Sequence, residues 1–327
     1  MRFVDDGDGR SLLEAEVGER VVHFQNPKTD ERRHGKPVGV VLHYTAVRAR
    51  PRPASDLAHF RPLLSAEPAQ TVDKLVGDLG SIPSGLALSL QNARRATRRA
   101  SWDFLIERSG LVVQCNTRPS SLYTWHAGRS LSSFARRGRD VHATDAWTGE
   151  RTLVYDHSRR GFVHPVLPDR RVPINPNPYV LGIEVESWGK VVPRRHGYYQ
   201  RYRKDGQVHF RKTELGIPDV ERIGSDTYER ISAEQHAALL SLARAIVSTY
   251  GIAPEGWLGH REIRPDNRVD PEPPLRLRDF VEEVYDTTPE TGLVALGEDD
   301  LPAGEFDWLG DDDRGDEEPP LDDGRPS

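Results

Sequence analysis

Apolar residues gather in a few short runs separated by long polar stretches, and these runs mark the elements. Residues 38–45, VGVVLHYT, form a β-branched run of buried-strand length with His43 near its C-terminal end. In 101–116, SWDFLIERSGLVVQCN, two alternating runs flank Arg-Ser-Gly, which predicts a tight hairpin with Gly110 in the turn. Residues 179–188, YVLGIEVESW, predict another strand, with Glu184 and Glu186 on one face and Val185 on the other. A shorter alternating stretch, RVVHFQ, predicts a strand near residue 20. Helical periodicity is weak over 69–79 and 87–99 and strong over 233–250, where Leu239, Leu242, Ala243, Ile246 and Tyr250 make one stripe. Ser232 and Gln235 form a capping box before that helix and Gly251 stops it. Residues 275–285 predict a short closing helix.

Between these runs the chain is polar. The first 37 residues are an N-terminal extension broken by Gly and Asp, and 38–285 form the catalytic-domain candidate. Two charged stretches, about 131–177 and 189–228, are expected to decorate the core as long loop insertions. The second contains HGYYQRYRK, which suits either a sugar-gripping surface or an ordinary hairpin edge. Residues 286–327 are acidic and rich in Pro and Gly, the composition of a disordered tail.

Charge and cysteine usage narrow the classes. The net charge is −6, which argues against a nucleic-acid partner. From Glu298 on, 13 acidic residues face two Arg, leaving the rest slightly basic and suited to an anionic polymer. Cys115 is the only cysteine, so no intrachain disulfide forms, and its apolar setting marks it as structural rather than nucleophilic. No run reaches the roughly 18 apolar residues of a membrane helix. The start, MRFVDDGDGR, is acidic where a secretory signal is basic. The expectation is synthesis in the cytoplasm without a signal peptide, followed by residence there or release by a non-Sec route. That leaves room for an unknown export or immunity partner.

The candidate chemistry centres on 259–273, GHREIRPDNRVDPEP, where His260 and Asp270 stand ten residues apart. With His43 they make three candidate ligands for one catalytic zinc ion, the fourth position being left to water. Glu184, among apolar neighbours on its strand, is the candidate base, and Arg268 the cation for a developing oxyanion. Each also has a plain alternative: a polar surface loop for His260 and Asp270, a solvent-facing strand residue for Glu184, a surface ion pair for Arg268.

Five ordered stretches, VVLHYTA, SWDFLIERSG, TWHAG, GIEVES and GHREIRPDNRVDPEP, resemble the zinc-dependent N-acetylmuramoyl-L-alanine amidases and the peptidoglycan recognition proteins related to them. The resemblance spans about 38–284. It implies an α/β fold with a central mixed β-sheet flanked by helices. It also implies hydrolysis of the amide between the lactyl group of N-acetylmuramic acid and L-alanine, in peptidoglycan or muropeptides. By resemblance His43, His260 and Asp270 hold the zinc, Glu184 and Arg268 are catalytic, and His126, Trp125 and Trp102 are on the substrate side. Two positions depart from the family pattern: Arg268 replaces a usual lysine, and Trp102-Asp103 replaces Tyr-His or Tyr-Asn. Recognition proteins of this fold that bind without cutting form the alternative. Muropeptide recycling, a phage-type endolysin and an exported effector all remain compatible settings.

Overall fold

The computed structural model describes residues 1–26, 33, 35–45, 50–64, 66–94, 101–126, 141–144, 151–156, 161–164, 167–172, 177–204, 207–260 and 275–286. The core is built from strands and helices in this chain order. They are β1 (Arg2–Asp5), β2 (Ser11–Glu14), β3 (Arg20–His23), β4 (Gly39–Tyr44), α1 (Ala66–Leu79), α2 (Ser84–Arg94), β5 (Phe104–Ile106) and β6 (Leu111–Gln114). After them come β7 (Val180–Val185), α3 (Ala233–Tyr250), β8 (Trp257–Gly259) and α4 (Leu277–Asp286).

The central sheet has six strands in the order β8-β4-β7-β5-β6-β3. The first four are parallel, β5 and β6 form the antiparallel hairpin, and β3 runs parallel to β6 at the far edge. It is therefore a mixed sheet, and its strands are nearly all buried because helices cover it. Alternation along each strand sends one set of side chains to each face. Leu42, Phe104, Ile106, Ile183 and Val185 meet Leu239, Leu242 and Ile246 of α3 and Phe280 and Val281 of α4. On the opposite face Leu105, Val113 and Val22 meet Val72 and Val76 of α1 and Leu86 and Leu90 of α2. Each fully buried Leu, Ile or Val contributes about 1.5–3 kcal/mol of transfer free energy, so these two clusters hold the layers together.

The expected hairpin forms with Gly110 at φ 78°, and its N–H donates to the Glu107 carbonyl at 2.9 Å. The α3 helix has the bounds its pattern predicts. The Gln235 N–H donates to Ser232 Oγ at 3.1 Å, and Gly251 takes the left-handed conformation at φ 68° that ends the helix. Ser232→Ala should lower stability by about 1 kcal/mol, read as a shift in urea midpoint at unchanged slope.

Several placements differ from the expectations, among them α1, which starts at Ala66 rather than at 69. The α2 helix starts at Ser84, three residues earlier than the periodicity suggests, because Pro83 fixes the backbone ahead of it and its carbonyl accepts from the Ala87 N–H. Residues 95–100 lie outside the described residues. Both insertions carry sheets of their own: four antiparallel strands between 141 and 172, and five between 190 and 229. Charged alternation without an apolar face of clear period conceals such strands in sequence. The N-terminal 37 residues supply β3 to the central sheet, with Val22 and Phe24 fully buried in the α1/α2 cluster. The acidic tail beyond Asp286 lies outside the described residues.

Cys115 is wholly buried in that same cluster, and burial pushes its thiol up to about 12. Folded protein at neutral pH should therefore resist an alkylating reagent that labels the urea-unfolded chain fully. Rapid labelling of the native state would contradict this placement.

Candidate functional site

The α1/α2 face of the sheet carries polar groups at the carboxyl ends of β8, β4 and β7. Register puts His43 of β4 opposite Glu184 of β7, and Val41 between Gly182 and Leu258. Partners in one row of a parallel sheet project to the same face. A small apolar floor of Val41, Val180 and Leu258 lies there. His43 stands one alternation beyond it, and His260 follows directly after β8. Both histidines thus sit at the carboxyl ends of adjacent parallel strands, where α/β sheets place ligand-binding groups.

His43 and His260 are buried, and their Nδ1 atoms face each other at 2.8 Å. On its other side, His43 Nε2 lies 3.1 Å from Nδ1 of His126, which is also buried. His126 Nε2 lies 3.4 Å from the Val180 carbonyl oxygen. A carbonyl only accepts, so this end orders the protons along the row. With its proton on Nε2, facing that oxygen, His126 accepts at Nδ1. His43 therefore donates from Nε2, which leaves a lone pair on its Nδ1 pointing at His260. Burial, then the neighbouring His43, holds His126 well below the ordinary histidine range, so it stays a neutral acceptor.

Gly182 makes room for this arrangement. A Cβ at 182 would lie 2.3 Å from Cγ of His126, so the imidazole rests directly on the β7 backbone. The loop carrying His126 is tied down on both sides: its N–H donates to Asn177 Oδ1 at 2.9 Å, and the Trp125 N–H donates to Ser101 Oγ at 3.0 Å.

The other sequence candidates fall in different places. Glu184 is half-buried in the row of His43. Glu186, which shares its face, is fully buried and accepts from Ser84 Oγ at the start of α2 at 2.9 Å, a structural engagement that separates the two carboxylates. Trp125 is buried beside Tyr123, ring centroids 5.6 Å apart. Trp102 is half-buried against the α1/α2 cluster and donates from Nε1 to Ser89 Oγ at 3.2 Å. Arg268 and Asp270 lie outside the described residues. Among the described residues no three His, Cys, Asp or Glu side chains stand together in metal-holding geometry.

Sequence reasoning missed the group beneath His126. Asp103 and Arg33 are both wholly buried, with Arg33 Nη2 at 3.7 Å from Asp103 Oδ1. Asp103 accepts from the Gly182 N–H at 2.8 Å, Thr124 Oγ1 at 2.8 Å and Asn116 Nδ2 at 2.7 Å. Burial pushes its carboxyl above the ordinary range, and Arg33 with these donors pulls it back. Arg33 sends Nη1 to the carbonyls of Asn177, Pro178 and Val180 and Nε to those of Pro119 and Leu122.

Fold and site define an α/β protein that gathers buried imidazoles at the carboxyl ends of parallel strands. The chain belongs to the N-acetylmuramoyl-L-alanine amidase family, whose profile matches residues 33–273. A search of curated proteins finds no match. Among solved structures it is similar to a selenomethionine AmpD derivative, at 17% identity over 82% of this chain and 98% of that one, with a TM-score of 0.35. It is similar to the N-acetylmuramyl-L-alanine amidase AmiD from E. coli in complex with an anhydro-N-acetylmuramic acid peptide. The identity there is 16%, over 86% of this chain and 65% of that one, TM-score 0.33. The catalytic domain of XlyA gives 14%, 81%, 99% and 0.34 respectively.

Proposed function

We propose that the protein hydrolyses the amide between the lactyl group of N-acetylmuramic acid and L-alanine in peptidoglycan or muropeptides, with one zinc ion as cofactor. The observation that carries this is the buried His43–His260 pair with facing Nδ1 atoms, in a chain of the amidase family.

The donor set fits zinc. Two imidazole ligands of one tetrahedral ion stand about 3.3 Å apart, given Zn–N near 2.0–2.1 Å. The 2.8 Å separation is within about half an ångström of that distance. His43 already presents a lone pair at Nδ1, and His260 does so once its proton sits on Nε2. Asp270 is the proposed third ligand; two neutral imidazoles and one carboxylate suit this borderline cation. When bound, zinc supplies Lewis-acid polarisation of a carbonyl and acidifies water.

The remaining steps belong to the chain. Glu184, in the row of His43, takes the proton of the attacking water on a carboxylate oxygen and returns it to the departing alanine nitrogen. Arg268 balances negative charge as the carbonyl carbon becomes tetrahedral. Trp125, in the loop that carries His126, and Trp102, against α2, are the proposed substrate-side aromatics.

The test incubates the protein with intact peptidoglycan and, separately, with soluble anhydro-muropeptides, with and without chelator, and identifies products by mass spectrometry. Release of peptides beginning with L-alanine, abolished by chelator and by His43→Ala, is expected. Zinc binding without release from either substrate would leave a peptidoglycan-binding module instead. The substrate that is cut separates recycling from wall lysis.

A further inference from the structure

We propose that the buried Arg33–Asp103 pair is a positioning device that seats His126 and, through it, fixes the tautomer of His43. As far as it concerns a metal ligand, this rests on the functional reading above; as far as it concerns protons, it stands on geometry alone.

The two charges bracket the seat of one imidazole. Arg33 holds the 177–180 turn through three carbonyls, and that turn supplies both groups that fix His126. Asn177 Oδ1 accepts from its backbone N–H, and the Val180 carbonyl faces its Nε2. The Val180 oxygen is thus shared between Arg33 and His126. Asp103 works from the other side. It holds Thr124, two residues before His126, and the N–H of Gly182, directly beneath the ring. Its own N–H donates to the Gly182 carbonyl at 3.1 Å, which locks the two strands in register there.

A fully buried ion pair is costly to form unless its remaining donors and acceptors are satisfied. Here Arg33 Nη1 is spent on the turn and Asp103 Oδ2 on Thr124 and Gly182, while Arg33 Nη2 meets Asp103 as an ion pair without a hydrogen bond. Histidines that bind metals typically donate their second ring N–H to a partner that fixes ring and tautomer. For His43 that partner is His126 Nδ1, which can accept only while Nε2 holds the proton against Val180. Loosening the pair frees His126 to flip or change tautomer, and His43 then loses its preference for Nε2–H.

The test uses full-length protein with 15N-labelled histidine, with chelator and again with added zinc. Long-range 1H–15N spectra read the His43 tautomer, competition with a chromophoric chelator reads zinc affinity, and circular dichroism reports the fold. Wild type should show a single Nε2–H form of His43. Asp103→Asn should show mixed tautomers and about 10–100-fold weaker zinc binding at retained fold. Should that variant fail to fold, Arg33→Lys, which keeps the charge and loses the fork, should give the same mixture. His126→Phe leaves the pair intact and removes the imidazole that links it to His43, so it must also mix the tautomers. A single Nε2–H form in His126→Phe or in a folded Arg33 or Asp103 variant overturns the proposal. If wild type binds no zinc, the functional reading fails while the tautomer result stands by itself.

Discussion

Arg33→Met is expected to cost about 3–5 kcal/mol of folding free energy, because it leaves a wholly buried carboxylate without its counter-charge. The five carbonyls that Arg33 serves each lose that donor at the same time. Asp103 could escape by taking up a proton, and burial already favours that form. It would then still lack the link to the 177–180 turn. Urea denaturation measures the loss, and the Arg33→Met/Asp103→Asn double variant should recover part of it, since no bare charge remains buried. A single-variant loss below about 1 kcal/mol would mean that water reaches this pair and that it is an ordinary surface bridge.

Gly182→Ala should damage the site more than its size suggests. The added methyl would stand 2.3, 2.6 and 2.8 Å from Cγ, Cδ2 and Cβ of His126, closer than packed atoms approach. The ring has little room to yield, its nitrogens facing Val180 and His43 and its backbone N–H held by Asn177. Overpacking of this kind costs about 1–3 kcal/mol. Displacing the orienting partner of His43 should lower metal affinity or hydrolysis by about 10–100-fold. Adding His126→Ala to this variant makes space for the methyl, so stability should return while activity does not. Wild-type hydrolysis by Gly182→Ala would remove His126 from any orienting role.

Much of the scaffold is legible in the chain itself. The capping box at Ser232 and Gln235, the left-handed stop at Gly251 and the turn at Gly110 are local chemistry. They depend on neighbours within a few residues and need no tertiary context to be recognised. The apolar runs around His43 and Glu184 likewise announce buried strands, and five ordered motifs point to the amidase family that the profile match establishes.

The site was only half legible. His43 stands out near the carboxyl end of an apolar run, and His260 by its place with Asp270 in the GHREIRPDNRVDPEP stretch. Arg33, within a polar stretch of the N-terminal extension, and Asp103, a departure from the family pattern, carry no such signal. Nothing local distinguishes a charged residue bound for solvent from one bound for a buried pair. The two partners are 70 residues apart and meet only when β5 pairs with β7 and the 177–180 turn closes over them.

The sequence by itself determined the core strands, the Gly110 turn and both ends of α3, because hydrophobic period, caps and turn glycines act over one or two turns of chain. It also determined which residue types were available for catalysis. The tertiary structure alone decided which of them meet. Parallel register sets His43 beside Glu184, the bare backbone of Gly182 admits His126, and the Val180 carbonyl orders the protons along the imidazoles. Those are relations between strands, and a side chain's partners across a sheet are fixed by register rather than by its own neighbours in sequence.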